Sequence, residues 1–370
     1  MLYTREGVIR YTHASMSNSF GKFFRVTTWG ESHGPALGAV IDGCPAGLSV
    51  EDDDIREQLD RDVPDRELGT PRGEINRFQI LSGVFEGKTL GTPISIIVWN
   101  NDARPRTYSG GRDTLRPGHA DFTWLARYGH TDWRGGSRAS GRECIARLVA
   151  GAVARKLAAS VGVRLTGRVV ELAGLPVTNE QDYAVAKLRA LEIAGQGDST
   201  GGVIEVLIEG MPPGVGNPVF GKLQADLAAA FLSIGGVKGL ETGEGFAAAR
   251  MRGSLHNDPF ALDEDGRVVS VSNRCGGLLG GISTGDRMSF RLAVKPTPTI
   301  QRPQQTVNVV EGKPVCMEYN GRFDANYAPR VVPIAEAMAA CVITDHLICS
   351  GFMNPARHGS VEPITVEDEL

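Results

Sequence analysis

Residues 115–143, LRPGHADFTWLARYGHTDWRGGSRASGRE, combine groups that bind anions with groups that carry protons. The 29 residues include five arginines, two histidines and three carboxylates, and glycines separate many of them. Arginine binds carboxylates and phosphates through two parallel N–H groups, and histidine titrates near neutral pH. Glycine allows the backbone to approach a ligand closely. The segment therefore predicts a binding site for a compound with several negative charges, with an acid or base beside it.

Two histidines occupy similar turns. His33 lies in TTWGESHGPALG (27–38), and His119 lies in RPGHAD (116–121). A single histidine in a turn is more often structural than catalytic, but two in such similar settings favour a pair that transfers protons. The other histidines lack this setting and are predicted to be structural or surface residues: His13, His130, His256, His346 and His358.

Two later segments carry further polar groups in loops. Residues 272–304 are rich in glycine and end in KPTPT, which presents Lys295 and two hydroxyl groups in an extended stretch. Neither a dinucleotide-binding glycine motif nor a P-loop occurs there. In the second segment, Arg322 and Asp324 precede a helix that is predicted to start with proline. An ordinary charge pair in a loop is an equally open interpretation of those two residues.

The opening segment also contains the start of a helix. Ser140 and Glu143 have the spacing of a capping box, and apolar residues follow at helical intervals. The loop RGGSRAS would then place Arg138 at the helix N-terminus, where free N–H groups attract anions. Other helices are predicted after a cap at Ser49, from Asn217-Pro218 onward, and from Pro333 to a stop at Gly351.

Six stretches resemble strands, and several of them are β-branched and nearly continuously apolar. Such runs are typical of strands that are covered on both faces. Together with the helices, they predict one domain of mixed α and β structure, class α+β, with long loops that carry the chemistry. The predicted strands are residues 37–43, 78–84, 94–99, 163–172, 202–210 and 287–294.

Composition excludes several classes of protein. The chain has 370 residues with 39 Lys+Arg, 43 Asp+Glu and a formal net charge of −4, which argues against nucleic-acid or membrane-surface binding. No continuous apolar run reaches the roughly 18 residues that span a bilayer. The six scattered cysteines form no C-x-x-C pair, which predicts a reduced cytoplasmic protein without a structural metal. Residues 1–15 have no secretory signal and are predicted to be a loose extension.

Taken in order, the motifs resemble the chorismate synthase family. The matching stretches are GESHGPALGAVIDGCPAG, RPGHAD, YGHTDWRGGSRASGRE, LGGISTG, AVKPTPTI and RFD followed by PRVVPIAEAM. They occur at that family's spacing between about Ser17 and Ile348. The resemblance implies a catalytic domain over residues 16–352, a β-α-β sandwich that assembles as a homotetramer, and a C-terminal tail over residues 353–370.

The resemblance implies a lyase of the shikimate pathway. It would convert 5-enolpyruvylshikimate 3-phosphate to chorismate and phosphate by 1,4-anti elimination, as part of aromatic amino acid biosynthesis. The family requires reduced FMN although the reaction has no net redox change, and FAD and NADPH are the related cofactors. The residues leave open whether the protein reduces its flavin with NADPH or depends on another reductase.

Specific residues acquire roles by this resemblance. His33 is implied as the acid that faces the departing phosphate, His119 as the histidine that contacts reduced flavin, and Asp324 as an aid to proton removal. Substrate-binding residues are implied to be Arg61, Arg66 and Arg116. Flavin-binding residues are implied to be Arg138, Ala139, Ser140, Gly235, Gly236, Gly280, Lys295, Pro296, Thr297, Pro298, Thr299 and Arg322.

One departure from the family pattern bears on the substrate. The family usually has LDRRRPG where this chain has LDRDVPD, so Asp62 and Val63 replace two arginines. A carboxylate beside an anionic substrate would oppose binding, and Arg61 and Arg66 would be imperfect substitutes. Two alternatives stay open: a flavin-independent phosphate lyase and a non-catalytic family member. A third, a nucleic-acid-binding module that reads phosphates with these arginines, is opposed by the net charge of −4.

Overall fold

The computed structural model describes residues 17–62, 65, 67–69, 76–100, 113–319 and 323–359. The predictions for residues 1–15, Val63, Arg66, Arg322 and the end of the C-terminal tail lie outside these ranges. Two five-stranded antiparallel sheets enclose a layer of helices within the described part of the chain. This arrangement confirms the predicted α+β class and the β-α-β sandwich.

The helices of the described residues carry most of the core. Their bounds are α1 (Asp52–Asp60), α2 (Asp121–Tyr128), α3 (Cys144–Ala159), α4 (Glu180–Gly195), α5 (Leu223–Leu232), α6 (Gly253–His256) and α7 (Ala328–Cys349). Helices α3 and α7 pack on each other, α3 against the first sheet and α7 against the second. Gly151 of α3 permits this approach, since a methyl group there would lie 2.3 Å from Cβ of Ala337 in α7.

The strands form the two outer layers and several short hairpins. Along the chain they are β1 (Ser19–Phe20), β2 (Arg25–Gly30), β3 (Ala36–Asp42), β4 (Phe78–Ser82), β5 (Val84–Phe85), β6 (Lys88–Thr89), β7 (Ile94–Trp99), β8 (Arg164–Leu172), β9 (Leu175–Pro176), β10 (Gly202–Glu209), β11 (Val237–Thr242), β12 (Phe260–Leu262), β13 (Val268–Ser270), β14 (Leu278–Leu279), β15 (Ile282–Ser283), β16 (Met288–Val294), β17 (Gln304–Asn308) and β18 (Lys313–Met317). The first sheet has the order β1-β2-β3-β7-β4 and the second has the order β11-β16-β10-β8-β9.

All six predicted strands are present, but their coverage differs from the prediction. In β10, Ile204, Val206 and Ile208 are fully buried, whereas the side chains between them are only half-buried. Strand β7 alternates in the same way. These two strands therefore present one face to the helices, as antiparallel sheets commonly do, and for them the prediction of cover on both faces was wrong. Strand β3, with four consecutive buried residues, is covered on both faces over that stretch.

Three predicted helix starts were also wrong. Glu51, not Ser49, is the N-cap of α1, since it forms a capping box with Asp54. Helix α5 begins after Lys222 rather than at Pro218. Helix α7 begins at Ala328 and carries Pro333 in its interior, so the first-turn proline is Pro329.

The predicted capping box in the opening segment forms only in part. Ser140 accepts a hydrogen bond from the backbone N–H of Arg142, and residues 141–143 make a 3₁₀ turn that leads into α3. The Glu143 carboxylate accepts instead from the Thr28 hydroxyl at 2.9 Å and from Arg147 Nε at 3.1 Å. The loop thus leads into a helix as predicted, but Glu143 joins it to the first sheet.

Helix α7 is long and apolar enough to cross a membrane by length and composition alone. Its mean hydropathy is 1.6 over the most apolar window, and that window is completely buried inside the fold. Two described ion pairs tie its Glu336 to neighbouring elements, at 2.6 Å to Arg61 and at 2.7 Å to Arg155 of α3. Its composition is therefore that of a central core helix.

Candidate functional site

A cavity of about 2220 Å³ opens where the long loops meet the helix layer. Its described lining includes every arginine of segment 115–143, so the cluster predicted from the sequence forms one wall. Ten cationic and eight acidic side chains line it, whereas the whole chain has a net charge of −4. The cationic lining residues are Lys22, Arg116, Arg127, Arg134, Arg138, Arg142, Arg147, Lys238, Lys295 and Arg330.

Carboxylates of the same segment orient some of these arginines. Arg116 donates to Asp121 from Nε at 2.8 Å and from Nη2 at 2.7 Å. Arg134 binds Asp132 in the same two-pronged manner, at 2.7 and 2.8 Å. Burial would raise the pKa of Asp121, but Arg116 outweighs burial and lowers it. Two of the three carboxylates of the segment thus orient its arginines, which explains why acidic and basic residues occur together there.

Arg138 is fixed against the first sheet. Its Nη2 donates to the Thr28 hydroxyl at 2.6 Å and to the Thr28 carbonyl at 3.1 Å, and Nη1 donates to the Gly30 carbonyl at 3.3 Å. Glu143 lies 3.5 Å away. With Ala139 and Ser140, Arg138 forms part of the cavity wall at the start of α3.

Arg142 belongs to the cavity although the sequence analysis assigned it no role. It is 5% exposed, and its guanidinium donates to Oδ1 of Asn76 at 2.8 Å and to Oδ1 of Asn100 at 3.1 Å. An arginine two residues after the predicted anion-binding loop was the available signal. A buried guanidinium that faces a polar cavity is suited to bind an anion.

The His119 turn packs on the segment from Lys295 to Thr299. His119 Nε2 lies 2.9 Å from the Thr299 hydroxyl, and Lys295 donates to the Gly118 carbonyl at 2.7 Å. A methyl group on Gly118 would lie 2.7 Å from Cβ of Pro298, so only glycine permits this contact. The structure thus joins two segments that are about 180 residues apart and that the sequence analysis assigned to one site.

His119 is a weak base in this environment. Burial lowers its pKa to about 4, the positive charges of Arg116 and Lys295 add to the effect, and Asp121 opposes it. The ring is therefore neutral at neutral pH. It can donate from one nitrogen and accept at the other, which suits hydrogen bonding to a ligand more than carrying a permanent charge.

Asp324 is brought to the same wall. Thr297 donates from its hydroxyl to the Asp324 carbonyl at 2.6 Å, and the Ser199 hydroxyl donates to the Thr297 carbonyl at 2.6 Å. The cavity is lined here by Lys295, Pro296, Thr297, Pro298 and Asp324. Thr299 lies behind these residues, where its hydroxyl contacts His119.

Tyr327 lies between two wall segments that the resemblance assigns to flavin. A methyl group on Gly141 would lie 2.8 Å from the Tyr327 hydroxyl, and one on Gly236 would lie 3.6 Å from its ring. The hydroxyl is buried without a hydrogen-bond partner among the described residues, as is Nε of Arg330. Burial raises the Tyr327 pKa well above its usual value, so the phenol remains a proton donor.

His33 does not line the cavity. It is 8% exposed, its Nδ1 lies 3.0 Å from the Ser32 hydroxyl, and Gly135 covers the ring. A methyl group on Gly135 would lie 2.1 Å from Cε1 of His33. Gly135 itself lines the cavity, so the imidazole lies directly behind the wall. The expected pair of histidines facing one cavity is therefore only half formed in this structure.

Arg61 and Gly280 also lie outside the described cavity wall. The Arg61 guanidinium binds both oxygens of Glu336, at 2.6 and 2.8 Å, and so faces the helix layer. Gly280 lies in the tight turn between β14 and β15 and is not among the described residues that line the cavity. The predicted positions Arg66 and Arg322 are outside the described residues.

Asp62 does not oppose a ligand directly. It is 3% exposed and absent from the described lining, and both of its oxygens accept from Nη2 of Arg330 at 3.0 Å. Arg330 does line the cavity. The substituted carboxylate thus neutralises a neighbouring arginine, a partner that lies 268 positions away and could not be read from the local sequence.

Comparison with known proteins points to one family. Residues 24–348 match the family model described as chorismate synthase. The chain is 49% identical over 358 residues to the chorismate synthase of Methanosarcina mazei, which covers 91% of this chain and 98% of that protein. It is 51% identical over 347 residues to the chorismate synthase of Chloroflexus aggregans, which covers 90% and 95%.

The fold leads to the same result. A crystal structure of chorismate synthase superimposes with a TM-score of 0.71 and 28% sequence identity, and the match covers 89% of this chain and 92% of that one. The similarity therefore extends over most of both chains. The chain belongs to the chorismate synthase family.

Proposed function

We propose that the cavity is the active site of a chorismate synthase, in which 5-enolpyruvylshikimate 3-phosphate lies beside reduced FMN and loses phosphate to give chorismate. The family's activity is that of a lyase in aromatic biosynthesis. The observation that carries the proposal is the convergence of the arginines of segment 115–143 with His119, Lys295 and Asp324 on one cavity. A substrate with one phosphate and two carboxylates needs such a set of cations.

The residues of the cavity wall fit a flavin. Gly235 lines the cavity with no atom within 4 Å of where a side chain would begin, and Gly236 faces the Tyr327 ring. The Tyr327 hydroxyl and Arg330 Nε are buried donors without described partners, which suits a ligand rich in acceptor atoms. When bound, reduced FMN supplies the transient electron transfer that eases loss of the allylic phosphate.

We assign the substrate's anionic groups to the arginine side of the cavity. Arg116 is oriented by Asp121, and it is proposed to bind the phosphate as the family resemblance implies. Arg142, buried and held by two asparagine oxygens, is proposed to bind a second anionic group. Arg61 receives no support as a substrate ligand because it is absent from the described cavity lining and its guanidinium binds Glu336.

The proton-handling roles follow from the environments of the three candidate groups. His119 is neutral at neutral pH, so it is proposed to hydrogen-bond the flavin and to donate a proton to it once the ligands' negative charges raise its pKa. Asp324, on the same wall, is proposed to assist proton removal. His33 is proposed as the acid for the departing phosphate, which requires Gly135 to move away from the imidazole ring.

The remaining expectations are part of the same proposal. FMN is proposed as the bound flavin rather than FAD, and NADPH as the source of its electrons, either directly or through another reductase. Assembly as a homotetramer is supported by apolar side chains exposed in residues 246–271 of one protomer, which a partner copy would cover. They are Phe246, Leu255, Phe260, Leu262, Val268 and Val271. The cytoplasm is the proposed location, with no nucleic-acid or membrane partner.

An anaerobic assay of phosphate release tests this function. The protein is mixed with 5-enolpyruvylshikimate 3-phosphate, with and without chemically reduced FMN, and phosphate and chorismate are measured together. We expect equal amounts of both products, and only when reduced FMN is present. Release without flavin would indicate a flavin-independent lyase, and no release in either mixture would indicate a non-catalytic family member.

A further inference from the structure

Asn100, the residue that follows strand β7, holds the turn that contains His33. Its side-chain amide Nδ2 donates to the carbonyl oxygens of Glu31 at 3.1 Å, Ser32 at 3.4 Å and Gly34 at 2.9 Å. Its backbone N–H donates to the carbonyl of Pro35 at 3.0 Å. One residue that follows a sheet strand therefore binds four carbonyl groups of the turn, two before and two after His33.

The other end of the same amide holds Arg142. Oδ1 of Asn100 accepts from Nε of Arg142 at 3.1 Å, while Asn76 accepts from Nη1 of the same guanidinium at 2.8 Å. A planar amide with a donor on one side and an acceptor on the other allows both contacts at once. Rotation of the Asn100 amide to improve one of these contacts would weaken the other. The positions of the His33 turn and of the Arg142 guanidinium therefore depend on the same orientation of Asn100.

We propose that Asn100 is a positioning residue that couples the His33 turn to Arg142. It fixes the position of the imidazole behind Gly135 and fixes the guanidinium of the cavity-lining Arg142 relative to that ring. The proposal rests on the proposed function insofar as it gives His33 a catalytic role. The contacts themselves make a prediction about the His33 ring that does not depend on that role.

Two substitutions separate the donor and acceptor halves of the amide. Asn100→Asp keeps an acceptor for Arg142 but loses the N–H groups, so kcat should fall about 30-fold with KM changed less than about 3-fold. Asn100→Ala loses both halves, so KM should rise as well. Asn273→Asp is the matched control, since Asn273 also donates to a loop carbonyl, that of Arg287, and does not line the cavity.

A double-mutant cycle shows whether the effect acts through His33. In a His33→Ala background, Asn100→Asp should cost less than about 2-fold in kcat, because the group that it positions is already absent. A full 30-fold loss in that background would overturn the proposal and indicate a general structural role. If Asn100→Asp does not fold, Asn100→Ser replaces it, and its effect on kcat is compared between the wild-type and His33→Ala backgrounds in the same way.

An NMR measurement separates this proposal from the proposed function. The Cε1–H resonance of His33, assigned by its loss in His33→Ala, should shift in Asn100→Asp and remain unchanged in Asn273→Asp. An unchanged resonance in Asn100→Asp would contradict the positioning role. If the resonance shifts but His33→Ala retains full activity, Asn100 positions the ring as proposed and the catalytic assignment of His33 is the part that fails.

Discussion

The two histidine turns look alike in the sequence and differ in the structure. Both are short turns framed by glycine or proline. The His33 turn is held from behind by Asn100 and covered by Gly135, so its ring lies behind the cavity wall. The His119 turn forms part of the wall and packs on the segment that contains Lys295. The pKa of the His119 imidazole is lowered to about 4.

The difference teaches that the local frame of a residue does not determine its chemistry alone. Groups from distant parts of the chain add to the local ones in each environment. For His33 these distant groups are Asn100 and Gly135, and for His119 they are Lys295 and Thr299. Buried polar contacts of this kind fix side-chain orientation through geometry and local charge.

The largest expected effect concerns His119, the member of the pair that lines the cavity. His119→Ala should lower turnover about 1000-fold while weakening FMN binding less than about 3-fold, because a proton-transferring group contributes mainly in the transition state. Stopped-flow turnover and FMN titration measure the two quantities. Equal losses in both would show that His119 is mainly a structural contact to flavin.

The packing of Gly135 on the His33 ring is tested by substituting the glycine. Gly135→Ala should destabilise the protein by about 3 kcal/mol, since it adds a collision with the His33 ring to the cost of a positive φ, here 58°. Gly129→Ala is the matched control, with φ 70° and no atom within 4 Å, and should cost about 1 kcal/mol. Urea unfolding measures both. Equal costs would mean that Gly135 does not pack on His33.

The lowered pKa of His119 has a consequence for stability against pH. Between pH 6.5 and 4 the unfolded chain binds a proton at His119 that the folded chain does not, so stability falls as the pH is lowered through this range. From pH 7 to 4.5, the wild type should lose about 2 kcal/mol more than His119→Gln. Urea unfolding at both pH values checks this. The same loss in both proteins would contradict the assigned pKa.

The smallest expected effect concerns the charge of Lys295, which is one cause of the lowered His119 pKa. Lys295→Met removes one of the cations that lower the His119 pKa, so the pKa should rise by up to about one unit toward 6.5. Lys88→Met, in β6 on the surface, should leave it unchanged. NMR titration of the His119 ring gives both values. A fall in the Lys295→Met variant would mean that burial of the imidazole increases instead.

The sequence predicted which segments form strands better than it predicted where the helices start. The six apolar runs are strands because β-branched residues suit a pleated, half-buried surface, and the motifs indicated the family. The starts of α5 and α7 were missed because a proline was taken as a first-turn residue where the chain enters the helix elsewhere. Helix α4 could have been found from Asn179, whose side chain caps it.

The candidate site was predicted in its residue types and only partly in its geometry. Arg116, Arg138 and His119 line the cavity because their loops carry glycines that allow close packing. The covering of His33 and the pairing of Asp62 with Arg330 depend on contacts across more than 100 residues. Such contacts leave no local pattern, so sequence reasoning expected Asp62 to oppose the substrate.

A crystal structure with oxidised FMN and 5-enolpyruvylshikimate 3-phosphate tests the central claim most directly. We predict that both ligands share the one cavity, with the flavin against residues 138–140 and 235–236, the phosphate on Arg116, and the His119 imidazole within hydrogen-bond distance of the flavin. Ligands bound elsewhere on the protein, or a His119 ring turned away from both, would contradict the account.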